Sequence, residues 1–337
     1  MRAALTVLLP VLAVLAAGPA RAALAWVTNQ GDDTVVAVDT ATGKVVQTVP
    51  VGAKPAGVAL SPDGRRIYVT NPEGRSLSVV TRGAGAPVVQ EVPAGAGPLG
   101  VAVAPDGRVF VADWYGDTVA VLDPAGAPLG TLHVGASPSG MAADPAGTRL
   151  YVANREGDSL SVIDLATLAT VATVPVGHAP FGVTVQGGRV FVANVQSGDV
   201  TVLDAATLRE LRRLKVGEFP YAVAVTPDGA RVLVTNQHSG TLSVFDGPDY
   251  RPLPEIPWAT TPRGSQCPQT ASGPMWRYGW TTSWRRWTWR PARWCGRSRW
   301  AKARGPSACS WGLTSRGRMP GGPGPVPSPS PSGRGPG

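Results

Sequence analysis

The chain has 337 residues, 42 of them Gly and 34 Pro, with a formal net charge of +9; that length allows a large core, and that composition favours turns over helices. The charge is unevenly placed: residues 23–257 carry 16 Lys/Arg against 22 Asp/Glu, whereas residues 258–337 carry 13 Lys/Arg and no acid. The main body is therefore acidic, which removes the usual inference from a basic chain to nucleic acid or an anionic membrane.

In chain order, residues 1–22 read as a signal peptide. Arg2 gives a basic start, Ala3 to Ala17 an apolar run broken at Pro10, and Ala20-Arg21-Ala22 the small residues of a cleavage site. The run is short for a transmembrane helix. No membrane span is expected after its removal, and the expected location is periplasmic or secreted.

Residues 23–257 are built on one recurring stretch. Ile67-Tyr68-Val69-Thr70-Asn71 returns as Trp26-Val27-Thr28-Asn29, Phe110-Val111-Ala112-Asp113, Tyr151-Val152-Ala153-Asn154, Phe191-Val192-Ala193-Asn194 and Leu233-Val234-Thr235-Asn236. The final residues of successive copies lie 42, 42, 41, 40 and 42 positions apart, the period of a propeller blade. Within one unit, Ala56 to Leu60 reads as a strand of small and β-branched residues, and Ser61-Pro62-Asp63-Gly64 as a turn. Ile67 to Thr70 reads as a strand apolar on both faces, Leu77 to Val80 as a third and Val88 to Val92 as a fourth, outermost one. Four strands per unit with no helical period predict an all-β fold, a β-propeller of four-stranded antiparallel blades. The chain enters at the second strand of its first blade, so closure of the ring requires a first strand supplied from the C-terminus.

These repeats resemble the YVTN-repeat β-propeller family (YncE-like proteins) over residues 23–257. The likeness is carried by Tyr68-Val69-Thr70-Asn71, Thr28-Asn29 and Thr235-Asn236, with the Val-Pro-Val-Gly and Ser-Pro-Asp-Gly elements. The resemblance implies an extracytoplasmic, mostly seven-bladed protein with no assigned reaction. Three strands plus five blades are present, so a seven-bladed design that has lost its last blade and closing strand is expected.

The tail holds all three cysteines and nine of eleven tryptophans. Residues 258–319 are read as an out-of-frame tail, poorly ordered, and residues 320–337 as a disordered Pro/Gly/Ser tail. Because Trp has one codon, the neighbouring frame is partly fixed: Trp287 with Thr288 forces Asp, Trp294 with Cys295 forces Val, and Trp300 with Ala301 forces Gly. The degenerate positions permit V-D-L-A-T-G-K-V-V-R-T-I-P-V-G, close to Val38 through Gly52 of this chain. A one-base deletion after the Pro257 codon is inferred. The rival reading, an Arg/Trp tail that stacks on bases or sits at a membrane interface, gives no reason for a blade in the other frame.

Chemical motifs are few. Gly95-Ala96-Gly97-Pro98-Leu99-Gly100 matches G-x-G-x-x-G, but a strand follows it rather than the helix N-terminus a phosphate loop needs. His133, His178 and His238 lack metal-ligand spacing, there is no haem attachment motif, and no catalytic residue, cofactor or metal is expected. The repeated Asn/Asp and the third-strand acids (Asp39, Asp123, Asp164, Asp204, Asp246) read as turn formers. What varies between repeats lies in loops that open on one face: Lys54, Trp114, Tyr115, Arg155, His178, Phe181, Phe219, Tyr221 and His238, with Glu156 beside them. An aromatic-rich mouth of this kind suits an extended peptide, a glycan or another protein. The sequence is thus read as a monomeric binding or scaffolding module. The alternatives are a lactonase-like propeller hydrolase, which needs carboxylate, His and Arg groups converging at the channel, and a redox-partner propeller.

Overall fold

The computed structural model describes residues 24–257. The signal peptide, the frame-shifted segment and the C-terminal tail expected from the sequence lie outside the described residues. Every regular element described is a β-strand, and the strands form six antiparallel sheets.

Blade one has three strands, β1 (Leu24–Asn29), β2 (Thr34–Asp39) and β3 (Val45–Pro50). Five four-stranded blades follow. Blade two holds β4 (Val58–Leu60), β5 (Arg66–Asn71), β6 (Ser76–Thr81) and β7 (Val88–Pro93); blade three holds β8 (Pro98–Val103), β9 (Val109–Asp113), β10 (Thr118–Leu122) and β11 (Pro128–His133). Blade four holds β12 (Pro138–Ala143), β13 (Arg149–Asn154), β14 (Ser159–Asp164) and β15 (Ala169–Pro175). Blade five holds β16 (Pro180–Gln186), β17 (Arg189–Asn194), β18 (Asp199–Asp204) and β19 (Glu210–Lys215). Blade six holds β20 (Pro220–Val225), β21 (Arg231–Asn236), β22 (Thr241–Asp246) and β23 (Arg251–Pro257). Each blade is a meander in sequence order.

Among the described residues there are six blades, the three strands plus five blades read for residues 23–257, and not the seven of the expected design. Six copies of the stretch, five opening on an aromatic and the last on Leu233, make six blades; the seventh rests on the family resemblance and the neighbouring reading frame. β4 is also shorter than expected. The Gly57 amide donates to the Thr70 hydroxyl at 2.8 Å instead of to a backbone carbonyl, and regular pairing starts at Val58, two residues later than expected.

The core is distributed between the blades. One buried cluster joins Trp26, Val35 and Ala37 of blade one to Val58, Ile67 and Val69 of blade two, and four further clusters repeat the pattern up to blades five and six. A blade with neighbours on both sides buries both faces, so β5, β9 and β13 are buried nearly throughout. In blade six, β21 instead alternates buried and half-buried residues, the period-2 pattern of a strand covered on one face. The outer strands are exposed along most of their length.

Polar side chains tie neighbouring blades. The Thr70 hydroxyl donates to the Leu99 carbonyl at 2.6 Å, and the Tyr68 hydroxyl to the Pro124 carbonyl at 2.8 Å. The repeated Asn fastens the end of its own strand to the next: Asn71 Nδ2 donates to Ser76 and Ser78 Oγ at 3.0 and 2.9 Å, and Asn154 repeats this with Ser159 and Ser161. These amides clip side-chain hydroxyls, whereas the sequence led us to expect bonds to the following backbone. Asp113, which has no N–H to give, accepts the Ala96 and Gly97 amides at 2.9 and 2.8 Å instead. Asp39, Asp164 and Asp204 do bond the backbone of their own turns. Those amide donors hold the three carboxyls below their ordinary range.

Candidate functional site

Two repeated positions per blade lie at the loop face, where six of them line one recess. One follows the Pro that opens the inner strand: Ala56, Leu99, Ser139, Phe181 and Tyr221. The other follows the repeated Asn/Asp: Pro72, Trp114, Arg155, Val195 and Gln237. The two loops are stitched together by backbone bonds, Trp114 N–H to Gly97 O at 2.9 Å and Arg155 N–H to Ser137 O at 3.1 Å. The backbone of the two loops is thus shared between blades, while the side chains at these positions differ.

Where they carry large side chains they enclose a recess of about 480 Å³ spanning blades two to six. Trp114, Tyr115, Arg155, Phe181 and Tyr221, all singled out from the sequence, line it. The Phe181 and Tyr221 rings meet edge to face at 4.9 Å, and the Arg155 guanidinium lies 5.7 Å from the centroid of the Trp114 ring. Glu156 adds a carboxylate, 66% exposed, whose Oε1 is 3.9 Å from Arg155 Nε. Tyr115 folds over Gly97, where any Cβ would come within 2.5 Å of its ring; only glycine lets the aromatic lie there. The G-x-G-x-x-G match is therefore a loop between blades that runs into strand β8 at Pro98.

Four of the predicted residues do not line the recess. Lys54 and Phe219 occupy one repeated loop position with φ of 55° and 53°, shared with Ser137 and Ala179. In three blades an Asp of the preceding turn accepts that amide at 2.8 Å: Asp33 for Lys54, Asp117 for Ser137 and Asp158 for Ala179. Their backbone is set by the loop. His178 sits on the rim, its Nδ1 2.8 Å from Asp158 Oδ2, and His238 lies 3.5 Å from a Glu218 oxygen with its ring against Phe219. Pro72, Gly97 and Leu99, outside the residues expected from the sequence, also line the recess. Aligning Leu99 with Phe181, and Pro72 with Trp114, was the available signal. Among the described residues, no group of three or more His, Cys, Asp or Glu gathers as metal ligands, and no helix is long and apolar enough to cross a membrane.

Asp158 is held below the ordinary carboxylate range, first by the Ala179 amide and then by His178. A carboxyl lowered by folding stabilises the fold above its unfolded value of 3.8. That contribution is lost as pH falls through the lower folded value. Asp158→Asn is therefore expected to flatten the loss of stability below about pH 4, measured as thermal midpoints along an acid series. An acid limb as steep as that of the unaltered chain would contradict this.

The family model described as SMP-30/Gluconolactonase/LRE-like region matches residues 23–154. The match ends at Asn154. It covers blades one to three and the first half of blade four, and stops one residue short of Arg155. No curated protein matches the chain. Among solved structures, a streptogramin B lyase is similar at 16% identity and TM-score 0.61, covering 70% of this chain and 80% of that one. Virginiamycin B lyase from Staphylococcus aureus is similar at 14% and 0.60, with 69% and 80% covered. A protein assigned as a 6-phosphogluconolactonase from Bacteroides uniformis is similar at 17% and 0.57, with 66% and 76% covered. At these identities the likeness establishes the fold. The matched family model differs from the YVTN-repeat resemblance and is compatible with it.

Proposed function

We propose that this chain is a lactonase-like propeller hydrolase, opening a small cyclic ester in the axial recess. The observation that carries the reading is the convergence of a carboxylate, a guanidinium and tyrosines on one recess at the mouth, in a chain whose first blades match a gluconolactonase-like family model. Glu156 takes a proton from water as it adds to the ester carbonyl, and the Tyr115 and Tyr221 hydroxyls are the O–H donors at hand for the oxygen that gains charge. The ring C–O bond then breaks as its oxygen takes the proton back from Glu156, and the hydroxy acid so formed ionises to its carboxylate, releasing one proton. YVTN-type repeats, a periplasmic or secreted location and a monomeric state remain part of this proposal, supported by the repeated stretch and residues 1–22.

The test is titration of the acid released from a panel of five- and six-membered lactones. Turnover above the uncatalysed rate is expected; none with any member would overturn the hydrolase. One observation favours a second reading: Trp114, Tyr115, Phe181 and Tyr221 make much of the wall aromatic, which suits a binding module for a peptide, glycan or protein. Ligand-dependent change in Trp114 fluorescence without turnover would select it.

A further inference from the structure

Arg155 stands apart from Arg108, Arg149 and Arg213. Its side chain is only 20% exposed, yet among the described residues its guanidinium donates no hydrogen bond. Its one carboxylate neighbour, Glu156, stays 3.9 Å from Nε, beyond hydrogen-bonding distance. Arg108 and Arg149, on the opposite face, each donate to a carbonyl of the next blade, at 2.7 Å to Leu165 and 2.6 Å to Ala205. Arg213, more exposed at 38%, donates to Glu210 at 2.8 Å. A guanidinium carries five N–H donors in a planar fork, and removing one from water without acceptors is costly.

The fold does not ask for this charge. At the equivalent position the other blades carry Gln30, Pro72, Trp114, Val195 and Gln237, none of them ionised. Nor does it come from a basic surface, because residues 23–257 carry 16 Lys/Arg against 22 Asp/Glu. Stacking on Trp114 fixes the side chain from one side and leaves the fork for something in the recess. Phe181 and Tyr221 supply flat apolar surface opposite.

We propose that the recess selects ring-shaped ligands bearing an oxyanion, a carboxylate or phosphate group, and that Arg155 is the residue that holds it. The fork matches two oxygens of such a group, a geometry lysine cannot reproduce. The inference rests on the recess being a ligand site, and not on turnover there.

The experiment is calorimetric titration of the full chain with matched acids and amides, D-glucuronate against D-glucuronamide and benzoate against benzamide, with inorganic phosphate as a third probe. At least one acid is expected to bind about ten- to a hundredfold more tightly than its amide. Arg155→Met should abolish that difference and leave the amide unaffected, and Arg155→Lys should restore it in part. Phosphate competing with the acid would assign the shared chemistry to any oxyanion; phosphate failing to compete would restrict it to carboxylates. Equal binding of acid and amide, no binding by any acid, or an Arg155→Met loss shared by both members of a pair would overturn the proposal. Absence of lactone hydrolysis alongside acid-selective binding would remove the hydrolase and leave this inference standing.

Discussion

Replacing Glu156 by Gln is expected to lower lactone turnover by about 10²–10⁴-fold while changing ligand binding little. The amide keeps the shape of the side chain and loses the capacity to accept a proton. The fold should not notice. Glu156 is largely exposed, and its contact with Arg155 is long, so the pair contributes little to stability. Glu73 provides the control, because it occupies the same repeat position in blade two and does not line the recess. Initial rates for both variants, with midpoints of thermal unfolding to check the fold, separate a role in proton transfer from general damage. Equal loss in both variants, or none in Glu156→Gln, would remove Glu156 from the chemistry.

The second large effect is on stability. A Cβ at Gly140 would run into the backbone carbonyl of Phe181, and one at Gly100 into that of Ser139. Both lie on inner strands, where successive blades approach most closely, and a carbonyl in a strand cannot swing aside as a side chain can. Gly140→Ala is expected to cost about 1–3 kcal/mol, or roughly 2–4 °C in Tm for each kcal/mol. It should also weaken ligand binding, because the displaced strand carries Phe181 into the recess. Gly130, on the outer strand β11, has nothing within 4 Å of its would-be Cβ, so Gly130→Ala should leave both properties unchanged. Similar denaturation curves for the two variants would contradict the close packing of inner strands.

The blades were legible because their determinants are local and repeated. Tyr68, Phe110, Tyr151 and Phe191 stand at one position of the second strand and are buried between blades, so spacing alone reported both strand and packing. The site was partly legible for the same reason. Trp114, Arg155, Phe181 and Tyr221 differ from their counterparts at positions where the framework imposes nothing, and the structure brings them together. Lys54 and Phe219 also vary between blades, and there backbone geometry, invisible in a side-chain pattern, sets the conformation. Variation missed Gly97 and Leu99, because a glycine that makes room for Tyr115 and a leucine beside it carry no chemical signature. The six blades of residues 23–257 follow from six copies of the stretch; a seventh has no described residues behind it. The Asn clips were assigned to the turn itself because Ser76 and Ser78, their acceptors, become neighbours only once the strands pair.

The most direct measurement is a crystal structure of the chain with the tightest-binding ligand from the lactone and acid panels. The account predicts that ligand in the axial recess, between the Trp114–Arg155 pair and the Phe181–Tyr221 pair, with Glu156 beside its carbonyl carbon. Ligand bound on the opposite face, against the turns that carry Asp39, Asp164 and Asp204, or along the exposed outer strands, would contradict it.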